Sequence, residues 1–442
     1  MKKMLILILV VIFVFSGCSV PTESGNAPQA VVSQSLTPQK EISSAGSVPI
    51  QYWGQTNGTL GAGCGTDAGY YYWSESGNNY ATLRYIDYAS QMVTPLCSRP
   101  ECSHDNNTCT SWLGWRGGYP QLTSSGSKLV LVYSNTNASY YEQYKDDALA
   151  HIQTMSLSGA EKQNIVTLNP NEDIQLGVAC DDSFVYIVKA TQSDTSAIQM
   201  SLCSVSLKDG AIKELCALPK GTSFIMGAAD RCLIVKTFSE PQGDTLYSDK
   251  DFQIFSCINV DTAKCLKKVE LPFRTDAAAV QTLVEGDILY TFFPTDNVVR
   301  AESLRTGEIK YEADNIIEKD IQYGQLMRVF GSKLIMSETY AATAEQRAHT
   351  FWVDLETGTH GNITLRGSYG TSARGEFSIV PSVQVGERML TVYQCTSQNI
   401  VLSDTYGNSV EAVSVLPQYA FIPVQDYWEN HSNFTPIKEG DF

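Results

Sequence analysis

The chain has 442 residues and a formal net charge of −16 at pH 7, with 43% hydrophobic and 18% charged residues. An excess of negative charge repels phosphate groups, so the composition excludes nucleic acid and anionic lipid headgroups as direct ligands. The 23 tyrosines and 32 glycines, together with the lack of an apolar period of helical length, predict an all-β fold.

The first segment has the pattern of an export signal. Two lysines precede an uninterrupted apolar run from Met4 to Phe15, which is too short to cross about 30 Å of hydrocarbon. The run ends in Val14-Phe15-Ser16-Gly17-Cys18, which resembles the bacterial lipobox. We therefore predict that residues 1–17 are a lipoprotein signal peptide, and that lipid on Cys18 anchors the chain to the extracytoplasmic face of the cell membrane. The alternative is an ordinary signal peptide with an incidental cysteine.

The next segment, residues 18–47, is rich in Ser, Pro, Thr, Gln and Gly and has no apolar period. Such a segment buries too little surface to offset the entropy lost on ordering, so we predict a lipidated flexible linker. The remaining residues, 48–442, are then the folded domain. Removing residues 1–17 takes away two lysines and changes the net charge from −16 to −18.

A hairpin pattern recurs about every 50 residues in this domain. Its seven instances are Tyr85–Asp87, Met155–Gly159, Val205–Gly210, Ile258–Asp261, Ser303–Gly307, Val353–Gly358 and Leu402–Gly407. The nearly all-apolar runs that precede them are Tyr70–Trp73, Leu129–Tyr133, Phe184–Val188, Leu233–Thr237, Ile288–Phe293, Leu334–Met336 and Met389–Tyr393. Short apolar runs are typical of strands buried between neighbouring sheets. The period predicts a β-propeller of seven four-stranded blades, and a pair of β-sandwiches is the competing architecture.

An insertion at about residues 95–120 lengthens the first repeat and contains a cluster of sulfur and imidazole ligands. Cys97, Cys102, His104 and Cys109 follow the spacing C-x4-C-x-H-x4-C. Thiolates and imidazoles at such short spacing suit a tetrahedral zinc ion, and four protein ligands would make that zinc structural. Disulfides among the same cysteines are an equal alternative, because the signal places the protein outside the cytoplasm.

Two further groups of residues accompany this motif: Pro95-Leu96-Cys97 with Pro100, and an ending made of Tyr419–Pro423, Asp426–Trp428 and Phe434–Ile437. With them the chain resembles a family of uncharacterised β-propeller lipoproteins of anaerobic Gram-positive, clostridia-like bacteria. The resemblance extends from the lipobox to the last residues. It implies the fold and the surface location, but no activity, substrate or catalytic residue.

Four other cysteines flank predicted turns. Cys203 and Cys216 lie on either side of one turn, and Cys257 and Cys265 on either side of another. Residues placed symmetrically about a turn face each other across a hairpin, so each pair is a candidate for a disulfide.

Two tryptophans, Trp112 and Trp115, lie in the insertion. If they are exposed, their rings can stack on sugars or contact a protein partner. The alternative is that they are buried and cap the first blade.

No catalytic motif is visible: there are five histidines, and no Gly-x-Ser-x-Gly sequence occurs. We therefore predict a surface-anchored lipoprotein whose propeller binds an extracellular protein or glycan, with catalytic residues unknown. The alternative is an extracytoplasmic glycan-active hydrolase or lyase, whose acidic residues would converge in the central channel from different blades.

Overall fold

Seven antiparallel sheets follow one another along the chain, and each is one blade of a β-propeller. The computed structural model describes residues 49–53, 63–77, 80–99, 101–114, 119–135, 148–193, 197–240, 251–273, 279–317, 323–339, 349–370, 375–403 and 408–440. All of them belong to one unit of the chain, Gln39–Phe442. The predicted propeller and its seven blades are confirmed.

The blades are numbered in chain order, and their strands are given from first to fourth. Blade 1 consists of Gly63–Gly65, Gly69–Gly77, Tyr80–Asp87 and a fourth strand divided into Met92–Pro95 and Trp112–Gly114. Blade 2 consists of Gln121–Ser124, Lys128–Tyr133, His151–Ser156 and Gln163–Thr167. Blade 3 has a divided first strand, Glu172–Ile174 and Ala179–Cys180, and then Phe184–Gln192, Ile198–Ser206 and Ile212–Ala217.

The next three blades have the same order of strands. Blade 4 consists of Gly221–Ala229, Cys232–Ser239, Phe252–Asn259 and Lys264–Pro272. Blade 5 consists of Gln281–Glu285, Ile288–Phe293, Val298–Ser303 and Ile309–Asp314. Blade 6 consists of Tyr323–Phe330, Lys333–Thr339, His349–Asp354 and His360–Ile363.

Blade 7 is built around one long hairpin. Its strands are Val383–Val385, Arg388–Ser403, Ser409–Pro423 and Thr435–Pro436, with Arg366–Ser368 and Glu376–Ser378 added at its inner side. A short helix, Val424–Trp428, joins the third strand to the fourth. Tyr427 of this helix is fully buried and its hydroxyl donates to Ile379 O at 2.9 Å, so the helix is fixed to the blade.

The apolar second strands form the core between blades, as the sequence predicts. Leu129, Val130, Leu131 and Val132 are all inaccessible to solvent, although successive residues of a strand point to opposite faces. Each face packs on a neighbouring blade: Val130 lies in the cluster shared with blade 3, and Leu129 in the cluster shared with blade 1. Burial of both faces is therefore the reason that these strands are apolar throughout.

One backbone hydrogen bond recurs in six blades. The residue that follows the third strand donates its N–H to a carbonyl in the turn between the first and second strands, and these bonds measure 2.8–3.0 Å. The donors are Tyr88, Leu207, Val260, Leu304, Leu355 and Val424. Strand pairing shows separately that six of the seven predicted hairpins, those of blades 1 to 6, join third and fourth strands.

The seventh predicted hairpin, Leu402–Gly407, is not equivalent to the other six, so this part of the prediction is corrected. Its sequence lies between the second and third strands of blade 7, at the other end of the strands from the six hairpins above, and residues 404–407 lie outside the described part of the chain. These two strands, Arg388–Ser403 and Ser409–Pro423, are longer than those of other blades, so the link between them falls where the period places a turn from a third strand to a fourth. In blade 7 the helix Val424–Trp428 follows the third strand, where the other blades have the turn to their fourth strand.

The ring closes between blades 7 and 1. Lys438 and Glu439 pair in parallel with Met92 and Val93, which extends blade 1 at its outer edge. Arg84 of blade 1 also forms an ion pair with Glu439, with Nη1 and Oε1 2.7 Å apart. The closing strand therefore combines backbone pairing with one charged contact.

The two ends of the ring differ in their connections. The turn face carries the short links from first to second strands, such as Asp230–Arg231 and Gly286–Asp287. The loop face carries the links from second to third strands, which are long at 134–150, 240–251 and 340–348. Most residues of these three links lie outside the described part of the chain.

The short strand Gln51–Tyr52 lies in the central channel. It pairs with Ala179–Cys180 of blade 3 and contacts the first strands of blades 2 and 4. Ile50 donates its N–H to Asp230 O at 2.9 Å, so it lies at the turn-face end of the channel. Within the described residues, no helix is both long enough and apolar enough to cross a bilayer.

Candidate functional site

Cys97, Cys102, His104 and Cys109 come together at the outer edge of blade 1. Their ligand atoms, three Sγ and one imidazole nitrogen, all lie within 4.8 Å of one another. His104 Nδ1 is 3.3 Å from Cys109 Sγ. The grouping predicted from the spacing is therefore confirmed.

The insertion leaves and re-enters blade 1 at a single residue of the third strand. Leu83 O accepts the N–H of Leu96, and Leu83 N–H donates to Ser111 O, both at 2.8 Å. We call Leu96–Cys97 and Cys109–Ser111 the neck of the insertion, and residues 98–108 its tip. The insertion thus divides the fourth strand of blade 1 in two.

The tip has a constrained backbone. Glu101 and His104 have φ of 60° and 58°, the left-handed region that non-glycine residues rarely adopt. Such residues persist where surrounding contacts hold them, at a cost of about 1–3 kcal/mol each. Cys102 and His104 are thus presented from a short loop that contains two residues in this conformation.

Polar groups surround the thiols. Arg99 Nη2 lies 3.6 Å from Cys102 Sγ and also donates to Thr108 O. Ser111 Oγ is 3.0 Å from Cys109 Sγ. These two residues were not predicted as part of the site, although Arg99 lies between two of the cysteines in sequence, and a cation beside thiolates is a recognisable signal.

The thiols at the two ends of the site differ in their electrostatics. Burial raises the pKa of Cys97, but hydrogen bonds from the backbone of Arg99 and the side chain of Thr110 outweigh it and bring this pKa to about 6. Burial raises the pKa of Cys109, although hydrogen bonds from Ser111 oppose it. The Cys97 thiolate is thus readily available as a ligand.

The four ligands fit a tetrahedral metal ion. With zinc–ligand bonds of about 2.0–2.3 Å, neighbouring ligand atoms of a tetrahedral site lie about 3.3–3.8 Å apart. The observed limit of 4.8 Å requires only small side-chain rotations to reach that geometry. The cluster could therefore hold a metal ion such as zinc, with all four positions taken by protein.

The neck also joins blade 1 to blade 2. Lys162 Nζ donates to Trp112 O at 3.0 Å and to Thr110 O at 3.4 Å. Tyr71 of blade 1 donates its hydroxyl to Leu157 O of blade 2 at 3.1 Å. The candidate metal centre therefore lies at the boundary of two blades. It belongs to the outer, fourth strand of blade 1, whereas the innermost strands line the channel.

The two hairpin cysteine pairs are not brought together. In blade 3, Cys203 is opposite Glu214 and Cys216 is opposite Leu202, because a bulge shifts the register between them. Cys203 is buried against blade 2, whereas Cys216 packs on the side of blade 4. Their thiols thus point to opposite faces of the sheet.

A second bulge has the same effect in blade 4. Cys257 is opposite Lys267, and Cys265 is opposite Ile258. The Cys257 thiol is buried in contact with Cys232, while Cys265 is exposed. No disulfide joins any two of the cysteines that the structure describes.

The structure describes only one of the two predicted binding aromatics, Trp112. Trp112 is half-buried in the divided fourth strand of blade 1, where its ring stacks on Tyr80 with centroids 6.4 Å apart. This placement matches the capping alternative. Trp115, like the predicted lipidation site Cys18, lies outside the described residues.

The central channel contains a group of polar side chains. Tyr52 donates its hydroxyl to Ile225 O at 3.2 Å. Burial raises the pKa of Tyr52, the charge of Glu285 adds to this rise, and Arg328 opposes it. Glu285 is open to channel water but has protein around most of its side chain, so burial raises its pKa and Arg328 opposes the rise. Sequence reasoning missed these three residues, because they meet only when blades 5 and 6 and the Gln51–Tyr52 strand assemble.

The described first strands, which line the channel, carry three carboxylates. They are Glu172, Asp173 and Glu285. Glu172 forms an ion pair with Lys189, and Asp173 accepts backbone N–H groups of Asn135 and Ile174. Glu285 is therefore the one described first-strand carboxylate without such a partner, and no second acid accompanies it on these strands.

A charged network links blades 3 and 4 on the turn face. Arg231 Nη1 lies 2.6 Å from Asp181 Oδ2, and its Nη2 lies 2.9 Å from Asp261 Oδ1. Tyr186 donates its hydroxyl to Asp181 Oδ2 at 2.8 Å. Burial raises the pKa of Asp181, but Arg231 and three hydrogen bonds outweigh burial and hold this pKa below its usual range.

Comparisons with known proteins were made for the whole chain. No protein-family model matches it, and no curated protein matches it in sequence. Among solved structures, the β-propeller domain of the Trilobed protease from Pyrococcus furiosus is 9% identical, with a TM-score of 0.42 over 87% of this chain and 99% of that chain. A putative 6-phosphogluconolactonase from Bacteroides fragilis is 11% identical, with a TM-score of 0.35 over 90% and 96% of the two chains. Likenesses this distant carry no conclusion about function.

Proposed function

We propose that this chain is a lipid-anchored, extracytoplasmic β-propeller that binds a cell-surface protein or a glycan and catalyses no reaction. It would then be one of the propeller lipoproteins that it resembles. The observation that carries this proposal is the content of the channel: one strand of the chain itself and, on the described first strands, a single carboxylate that forms neither an ion pair nor a hydrogen bond, Glu285. A glycan-active enzyme needs two carboxyl groups about 5–10 Å apart.

The loop face supports the binding role. Long connections at one end of a rigid scaffold are where proteins most often carry binding residues. Two apolar side chains at this face are exposed at the start of third strands: Ile198 is 57% and Phe252 is 39% exposed. Exposed apolar groups on the face that carries the long loops are suited to contact with a partner.

The expected effect of the loop face can be measured directly. In a pull-down from the native cell surface and on a glycan array, the double variant Ile198→Ser with Phe252→Ser should bind its ligand at least about tenfold more weakly than wild type. Loss of two apolar contacts of about 1 kcal/mol each has this size.

A matched variant lies on the turn face. Phe184 is 39% and Ile309 is 52% exposed there, so Phe184→Ser with Ile309→Ser removes similar apolar surface. This variant should bind as wild type does. Equal loss in both double variants, or hydrolysis of an arrayed glycan by the wild-type protein, would contradict the proposal.

The anchor is a separate part of the proposal. It is supported by the basic start, the apolar run and the position of Cys18. Cys18→Ala should move the protein from the membrane fraction to the soluble fraction of the cell, because two acyl chains are what gives stable attachment. Ser16→Ala, which keeps the cysteine, should leave the protein in the membrane fraction. Retention of the Cys18→Ala variant at the membrane would count against a lipid anchor.

We also propose that Cys97, Cys102, His104 and Cys109 bind one structural zinc ion. Two observations support this: the four ligand atoms lie within 4.8 Å of one another, and the loop that carries them has a strained backbone at Glu101 and His104. Protein purified without oxygen should contain about one zinc per chain. Metal analysis with a parallel thiol count tests this, and metal-free protein with these cysteines oxidised would refute it.

A further inference from the structure

The neck of the insertion holds two of the three clustered thiols in a special position. Cys97 follows Leu96, which donates to Leu83 O, and Cys109 lies two residues before Ser111, which accepts from Leu83 N–H. Both thiols are therefore held beside one residue of the third strand. Cys102 and His104 belong to the tip instead, where no such pairing with blade 1 is recorded among the described backbone bonds.

We propose that Cys97 and Cys109 are a redox modification site, at which a peroxide converts the metal-bound thiolates to a disulfide and releases the metal. The inference rests on the zinc site proposed above. The disulfide keeps the neck closed in place of the metal, while the tip loses its two anchors. The cluster thus has two closed forms, one metal-bound and one oxidised, which differ in the order of residues 98–108.

Geometry favours this pair. The Sγ atoms lie within the 4.8 Å spread of the cluster, so rotation about the side-chain bonds can bring them to the 2.05 Å of a disulfide without moving the strands. Cys97 is half-buried and Cys109 is 3% exposed. An oxidant therefore reaches Cys97 first, and Cys109 is the neighbouring thiol that resolves the product.

Hydrogen peroxide is the two-electron oxidant in this step. The Cys97 thiolate attacks one peroxide oxygen, the O–O bond breaks, and the departing hydroxide takes up a proton to give water. The Cys109 thiolate then attacks the Cys97 sulfenic acid sulfur, and the second hydroxide leaves as water after protonation. Two thiolates, one peroxide and two protons thus yield one disulfide and two waters. The metal, left with two ligands, departs as Zn²⁺.

The backbone explains why the tip responds. Glu101 and His104 are held at φ of about 60°, and the metal bonds of Cys102 and His104 are what would offset this strain. Once those bonds are lost, both residues can relax to ordinary conformations. The neck does not respond, because its bonds to Leu83 are made in either form.

The test uses the full chain, purified without oxygen and analysed for zinc before treatment. Hydrogen peroxide is added in steps, released zinc is read with a chromogenic chelator, and cysteine states are mapped by alkylation and peptide mass spectrometry. We expect loss of about one zinc per chain in step with a Cys97–Cys109 disulfide, reversed by a dithiol reductant with added zinc. Amide exchange at residues 101–108 should quicken by about tenfold or more, with no change in Tyr80–Asp87.

Each outcome decides something. Chain that contains no zinc before peroxide refutes the metal site and this inference together. Zinc that stays bound, or leaves without a Cys97–Cys109 disulfide, refutes the inference and leaves the metal site standing. The Cys102→Ser variant gives an independent reading, because it keeps both neck thiols: under peroxide it must still form the neck disulfide, and failure to do so overturns the proposal.

Discussion

Replacing Arg231 by Met is expected to lower the free energy of unfolding by about 3 kcal/mol at neutral pH, because it leaves a buried charge without its partner. The side chain of Asp181 is only 6% exposed, and Arg231 is its ionic contact at 2.6 Å. Three hydrogen bonds to Asp181 would remain, from Tyr186 and from two backbone N–H groups. Urea unfolding followed by tyrosine or tryptophan fluorescence measures the change.

The loss in free energy of unfolding caused by Arg231→Met should depend on pH. The folded-state pKa of Asp181 is depressed, so its contribution to wild-type stability is present above the unfolded-state pKa and is lost as pH falls through the folded-state pKa. In the variant this pKa is no longer depressed by a cation. The difference between the two proteins should therefore be largest near pH 7 and shrink in acid.

An exposed ion pair supplies the control. Arg300 Nε lies 2.7 Å from Glu312 Oε2, and the two side chains are 42% and 49% exposed. Arg300→Met should cost less than about 1 kcal/mol, because solvent already screens the pair. If Arg231→Met costs no more than Arg300→Met, the turn-face network does not stabilise the junction of blades 3 and 4.

Replacing Cys109 by Ser is expected to abolish zinc binding, from about one metal per chain to none, because a hydroxyl is a poor substitute for a thiolate ligand. The Sγ of Cys109 lies 3.3 Å from Nδ1 of His104. Where free zinc is a thousand times the dissociation constant, lost binding removes about 4 kcal/mol of stabilisation. A strong chelator should lower the melting temperature of wild type and leave the variant unchanged.

Cys265→Ser is the matched cysteine control. Cys265 is exposed and lies in blade 4, away from the cluster. Its replacement should keep the zinc content and should change the free energy of unfolding by no more than about 0.5 kcal/mol. A Cys109→Ser protein that retains zinc, or a wild-type melting temperature that ignores the chelator, would show that the cluster is not a metal centre.

Local patterns predicted much of the architecture. Runs such as Ile288–Phe293 are apolar because neighbouring blades cover both faces, and turns such as Val353–Gly358 carry the polar residues that a tight link needs. Both signals lie within a few residues, so they can be read directly. The same is true of the metal-ligand spacing, since the four residues lie in one insertion.

The remaining features depend on register or on distant pairing. A bulge between Leu202 and Cys203 separates two cysteines that symmetry about a turn would have joined. The sequence at Leu402–Gly407 matched the period, but it lies between the second and third strands of blade 7 and not between the third and fourth, because those two strands are unusually long. Arg231 and Asp181 are far apart in sequence, and no local pattern marks them as partners.

The closing strand has a consequence for the order of folding. Lys438 and Glu439 pair with Met92 and Val93, and Gln51 and Tyr52 pair with Ala179 and Cys180. Contacts of such high sequence separation form late, after the loops between them have been closed at an entropic cost. Until Lys438 and Glu439 have paired with it, the outer strand of blade 1 has unpaired backbone groups. Such an edge can pair with strands of other molecules. Slow delivery of the last segment should therefore favour aggregation over folding, and the divided strand of blade 1 is where it should begin.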